Sequence, residues 1–175
     1  MSDPADWLLR DDVEWWQLVR FGPPGLDVYA RVDFADDQDN EQDDEQDRQR
    51  LVLERLATHT STPDDAWAAV WEGWTGHEGP SRARRVLIPE RTMLLFQAPV
   101  AALRDLPATA WSTTPGGVAP HLAWPADRAW CFACEVDEEL AFTVGCSAAT
   151  ADDLEHLLPG AVRRVPYGAD EPLYR

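Results

Sequence analysis

Three cysteines, four histidines and a surplus of carboxylates are what this chain of 175 residues offers for chemistry. Cys131 and Cys134 have the CxxC spacing of zinc sites and thiol redox centres. The surrounding stretch reads as a strand, however, and residues three apart in a strand point to opposite faces. Such a pair holds no common metal, and buried thiols are the simpler reading. Cys146, between Gly145 and Ser147, is the best lone nucleophile, but a thiol needs a histidine close in space. The histidines are scattered at His59, His77, His121 and His156, and no Ser or Cys lies in a GxSxG elbow.

The carboxylates suggest two further chemistries. Glu72 and Glu135 would form a pair of the kind glycoside hydrolysis uses if their strands were neighbours, although two such acids arise readily in a chain this acidic. Asp37, Asp39, Glu41 and Asp43 have the spacing of a calcium loop. Gln42 stands where that loop needs glycine, and Arg48 where its bidentate acid belongs. Lysine is absent altogether, so Schiff-base chemistry, a pyridoxal anchor and the P-loop phosphate clamp have no residue to use. Neither a metal nor a cofactor is expected.

The elements that would position these residues follow from spacing. Glu14 to Phe21 and Leu26 to Phe34 are aromatic and β-branched runs around Gly22-Pro23-Pro24-Gly25, which predicts a hairpin. In the second arm Leu26, Val28, Ala30, Val32 and Phe34 alternate with Asp27, Tyr29, Arg31 and Asp33, so one face is expected buried and the other wet. Nine acids and no base lie between Asp33 and Asp47, and segment 35–47 reads as a disordered acidic loop. A helix is expected from about Glu45 to before Thr58, and a strand over Ala66 to Glu72. Val86 to Ala98 reads as a strand interrupted at Pro89, Val100 to Leu106 as a short helix, and Pro107 to Pro120 as a long connection. Ala129 to Val136 and Leu140 to Cys146 form a second hairpin. Thr150 caps a helix to Leu158, with Asp153 in the reciprocal position, and Ala161 to Tyr167 closes as a strand. Strands and helices without regular alternation predict a single α+β domain over 1–175: a mainly antiparallel sheet with two or three helices packed on one face.

The segments THTSTPDDAWAAVWEGW and HLAWPADRAWCFACEVDEELAFTVGCS resemble the paired tryptophan motifs of an uncharacterised protein family of high-GC bacteria, over most of the chain between His59 and Ser147. The resemblance implies neither an activity nor catalytic residues.

Composition speaks to partners. Thirty-two Asp and Glu against fifteen cations leave a net charge of -17, a field that repels nucleic-acid phosphates and anionic lipids and attracts a basic protein. No run approaches the roughly 18 apolar residues of a membrane span, and the start, MSDPADWLLRDD, has no signal-peptide pattern. Together with the odd cysteine count this points to the cytoplasm. Of nine tryptophans, Trp67, Trp71 and Trp130 suit a core. Trp74, Trp111 and Trp124 fall in predicted loops, where they either lid the core or anchor a partner.

Two functions compete on this reading. The first is a non-enzymatic, acidic protein-binding domain, immunity- or inhibitor-like towards a basic partner. The alternative is a small-molecule or enzymatic pocket walled by Trp71, Trp74, Trp124 and Trp130, with Arg91 or Arg128 pairing an anionic ligand and Glu72 or Asp127 as polar partner.

Overall fold

A computed structural model describes residues 3–10, 12–34, 41–73, 84–105 and 119–174, with the side chains of 41–44 left aside. Eight strands make one open sheet: β1 Val28–Asp33, β2 Ala66–Trp71, β3 Arg84–Ile88, β4 Arg91–Ala98, β5 Leu122–Pro125, β6 Cys131–Ala133, β7 Ala141–Cys146 and β8 Val162–Val165. Their order across the sheet is β3-β4-β2-β5-β6-β7-β1-β8, and every pairing is antiparallel. With the helices α1 Trp15–Phe21, α2 Glu41–Leu56, α3 Val100–Leu103 and α4 Ala148–Leu157, this is the expected α+β architecture.

Three helices share one face. Leu53 and Leu56 of α2, Val100 and Leu103 of α3, and Leu154 of α4 close over Val32, Ala68, Ala123, Phe132 and Phe142 of the sheet. Amphipathic helices of this kind are held by the apolar stripe they bury rather than by intrinsic propensity. The opposite face is covered by the amino-terminal segment and α1, which place Ala5, Leu8, Leu18 and Val19 against Ala69, Met93, Leu122, Trp124 and Cys131.

Four sequence expectations need correction. Glu14 to Phe21 is not the first arm of a hairpin, because Trp15 to Phe21 is helical. Leu18, Val19 and Phe21 are buried while Trp15 stays 37% exposed, a helical face that outweighs the β preference of Trp, Val and Phe. The helix stops at Gly22, whose φ of 76° suits glycine and whose N–H bonds the Leu18 carbonyl. A Cβ at Gly22 would also lie 2.9 Å from Cys131 Sγ.

The acidic segment is not a loop throughout. Residues 35–40 lie outside the described residues, but α2 begins at Glu41, so the helix starts within the acidic run. The stretch 86–98 is two strands rather than one, with Ile88 opposite Arg91 across a two-residue turn of Pro89 and Glu90. Glu90 has φ 64°, the left-handed conformation that follows proline in a type II turn. Finally, α4 is capped by Ser147, whose hydroxyl accepts from the Thr150 N–H at 3.2 Å, and Thr150 is buried inside the helix.

Candidate functional site

The cysteines are placed as strand geometry requires. Cys131 packs on the sheet face covered by α1 and the amino-terminal segment, and Cys134 lies on the face covered by α2, α3 and α4, where Gln49 Nε2 approaches its sulfur at 3.4 Å. Cys146 is fully buried on β7. Burial pushes all three thiols up, Cys146 to about 12, so none carries thiolate at neutral pH. Among the described residues no group of three or more His, Cys, Asp and Glu is arranged to hold a metal ion. We expect native protein to resist iodoacetamide at neutral pH and all three thiols to react once it is denatured. Rapid labelling of native Cys146 would restore it as a nucleophile.

The described histidines serve the fold. His59 Nε2 lies 2.7 Å from Asp153 Oδ2, tying the 3-10 turn at 57–59 to α4, so Asp153 does not complete a capping box. His121 Nδ1 accepts the Trp71 N–H at 2.8 Å and continues the ladder between β5 and β2 past their last residue pair. His156 Nδ1 is 2.6 Å from the Asp152 carbonyl. Neither do the two glutamates form a carboxylate pair, because β5 separates β2 from β6 in the sheet. Glu72 binds Arg85 at 2.6 Å in solvent, a hydrogen bond that lowers its carboxyl below the usual range. Glu135, which is buried, binds the largely covered Arg91 at 2.7 Å.

The tryptophan pocket does not assemble. Trp124 belongs to β5 rather than to a loop, is 1% exposed, and meets Trp7 edge-on with centroids 6.2 Å apart. Trp130 is fully buried on the other face of the sheet, where its indole N–H donates to the Leu56 carbonyl at 3.0 Å. Two rings on opposite faces of one sheet wall no common cavity. Trp74 and Trp111 lie outside the described residues. Arg128 lies over the Trp7 ring at 5.5 Å and has φ 58°.

Asp127 is a clamp rather than a ligand-binding acid. It accepts from Ser61 N–H at 2.6 Å, Ser61 Oγ at 2.7 Å, Thr60 Oγ1 at 2.8 Å and Ala129 N–H at 3.1 Å. Partial burial raises its carboxyl, but the hydrogen bonds from Ser61, Thr60 and Ala129 outweigh it and leave the group below its ordinary value. The His59 hydrogen bond lowers Asp153 as well. A carboxyl depressed in the folded state contributes stability above its unfolded value, and that contribution is lost as pH falls through the folded one. Urea unfolding should therefore show stability declining below about pH 4, and Asp127→Asn should flatten part of that decline. An unchanged pH profile in the variant would remove Asp127 from this role.

Of the eight residues singled out by sequence, the structure joins Trp71 and Arg91. The Arg91 guanidinium lies 4.5 Å from the Trp71 ring centre and 5.4 Å from that of Trp15, and is gripped from within by Glu135. Glu135 Oε1 also accepts the Val136 N–H, while its Oε2 is buried without a hydrogen-bond partner. Arg91 faces a groove of about 520 Å³ lined also by Leu9, Arg10, Leu87, Ile88, Pro89, Glu90 and Thr92.

A second buried charge cluster escaped sequence reasoning. Arg20 of α1 makes a bidentate pair with Glu138 at 2.9 and 3.0 Å. Arg31, at the middle of β1 and fully buried, donates to the same carboxylate and to Thr143 Oγ1 at 3.1 Å. The Phe21 ring stands 5.7 Å from both guanidiniums, and Arg31 Nε has no hydrogen-bond partner. The alternation had placed Arg31 on a wet face, but α1 covers it. The only available signal was the helical spacing of Leu18 and Phe21.

Geometrically this is an open antiparallel α+β sheet domain with two buried arginine-glutamate clusters beneath α1 and the amino-terminal segment. Comparison with protein families, curated proteins and solved structures finds no match.

Proposed function

We propose that this chain is a non-enzymatic, acidic protein-binding domain that takes a partner with a basic surface, in the manner of an immunity protein or an inhibitor. The observation that carries the reading is where the positive charge goes. Each described arginine other than Arg48 and Arg128 lies within ion-pair distance of a carboxylate of the chain itself. Arg48 donates to the Asp33 carbonyl and Arg128 covers Trp7. The cations are thus engaged internally, and the surplus carboxylates set the field that a partner meets.

Nucleic acid is disfavoured as a partner by the same field. No described helix is long and apolar enough to cross a membrane. Three free, buried cysteines suit the reducing cytoplasm. The competing small-molecule reading has lost Trp124 and Trp130 to the two cores, and the groove at Arg91 has no indole in its wall.

A pull-down at low ionic strength, followed by kinetics with the purified captured protein, tests the reading. The expected partner is basic, and its association rate falls steeply with salt while dissociation changes little. Failure to retain any basic protein at low salt would overturn it.

A further inference from the structure

Segment 166–174, which follows β8, folds back across the domain without burying any of its side chains. A short series of contacts holds it. Tyr167 Oη donates to the Gly22 carbonyl at the end of α1 at 3.1 Å, and the Tyr167 ring centre lies 5.9 Å from that of Phe21 and 4.9 Å from that of Tyr29. Gly168, with φ 70°, runs so close to α1 that a Cβ there would collide with the Gln17 side chain. Further on, Glu171 pairs with Arg163 of β8 at 2.6 Å, and the Leu173 carbonyl accepts the Glu139 N–H at 3.0 Å. Tyr167 also borders an open groove of about 410 Å³, with Val28 and Arg164 among its walls, so its ring lies at the surface rather than in either core.

These contacts join the same two elements that the buried ion pair joins. Arg20 lies two residues before Gly22 on α1, and Glu138 immediately before Glu139 in the turn between β6 and β7. Segment 166–174 thus ties from outside the junction that the Arg20–Glu138 pair ties from within. The helix needs such ties, because seven residues have no helical stability of their own in water. Beneath the same end of α1 lies Cys131, whose sulfur leaves no room for a Cβ on Gly22, whereas Cys134 and Cys146 belong to the opposite face of the sheet. A segment without buried side chains opens at a lower free energy than the cores beside it.

We infer that segment 166–174 is a releasable latch: docked, it fixes the end of α1 to the turn that carries Glu138, and detached, it lets that end lift as a local unit, uncovering Cys131 and the Arg20–Glu138 pair while the rest of the domain stays folded. The consequence is regulatory, since whatever captures Tyr167 and Leu173 acts on a buried charge cluster without touching it.

The test combines Tyr167→Ala with Glu171→Gln in the full chain. Alkylation by iodoacetamide under native conditions, with each modified cysteine located by mass spectrometry, is followed beside amide hydrogen exchange. Cys131 is expected to react roughly tenfold or more faster than in the unsubstituted protein, the shift that losing one hydrogen bond and one ring contact produces, with Cys134 and Cys146 lagging behind it. The Gly22 and Glu139 amides, which bond the Leu18 and Leu173 carbonyls, should lose protection together. Three thiols reacting in step would mean that the segment opens only with the whole domain, and an unchanged Cys131 would mean that α1 stays closed without a latch; either result overturns the inference. Should the double variant fail to fold, Glu171→Gln alone breaks only a partly exposed ion pair, and Cys131 must still be the first thiol to react. Any other order overturns the latch equally.

Discussion

Replacing Glu138 with glutamine is expected to lower the free energy of unfolding by about 3–5 kcal/mol, the cost of leaving buried charge uncompensated. Glu138 is the one carboxylate gripped by both Arg20 and Arg31, and all three side chains are at most 7% exposed. Glutamine preserves the shape but leaves two guanidiniums facing each other beside Phe21 without a counter-charge. In a chain of this length each kcal/mol moves the midpoint by roughly 2–4 °C, so thermal unfolding should fall by roughly 6–20 °C. Urea denaturation at neutral pH gives the energy directly. Replacing Arg20, Arg31 and Glu138 together with apolar residues of similar volume should recover most of the loss, because it removes the desolvation penalty along with the pairing. A loss below about 1 kcal/mol for Glu138→Gln would mean that water reaches the cluster and that α1 does not seal it.

Trp130→Ala is the second large effect, expected at about 3–5 kcal/mol. The indole is fully buried between α2 and the sheet, and its removal leaves a cavity lined by close-packed neighbours that relax only in part. The Leu56 carbonyl, at the end of α2, loses its donor at the same time. Trp15→Ala, by contrast, removes a partly exposed ring and should cost far less, so the two variants separate a core indole from a surface one in a single urea series. If Trp130→Ala unfolds no more easily than Trp15→Ala, the packing of α2 on this face is wrong.

The comparison between these two tryptophans shows where sequence reasoning succeeds and where it stops. The alternation of Trp67, Ala69 and Trp71 was enough to locate β2, and the reading of a hairpin across Asp137, Glu138 and Glu139 located β6 and β7. The opposite placement of Cys131 and Cys134 followed from the two-residue period of a strand. The strand Leu122–Pro125 was missed, since it is only four residues long, ends in proline and follows a Pro/Gly-rich stretch that reads as a loop. In EWWQLVRF strand-favouring residue types concealed a helical face, so α1 was read as a strand.

That one element accounts for much of the missed site. With α1 as a strand, Arg31 belonged to solvent; with α1 packed on β6 and β7 and its Phe21 beside Arg31, Arg31 and Arg20 meet Glu138 in the dark. Of the residues proposed for a pocket, Trp71 and Arg91 do meet, because β2 and β4 are neighbours in the sheet. Trp124 and Trp130 do not, because they project from opposite faces.

The sequence by itself determined the acidity, the absence of lysine chemistry, the α+β class and, in the strands it located, the alternation of residues between the two faces. These depend on composition and on local periodicity, which the chain carries at every position. Only the tertiary structure decided which of those sides meets water and which arginine finds which carboxylate. Those outcomes depend on elements distant in sequence closing over one another, as α1 does over Arg31, and no local spacing encodes that closure.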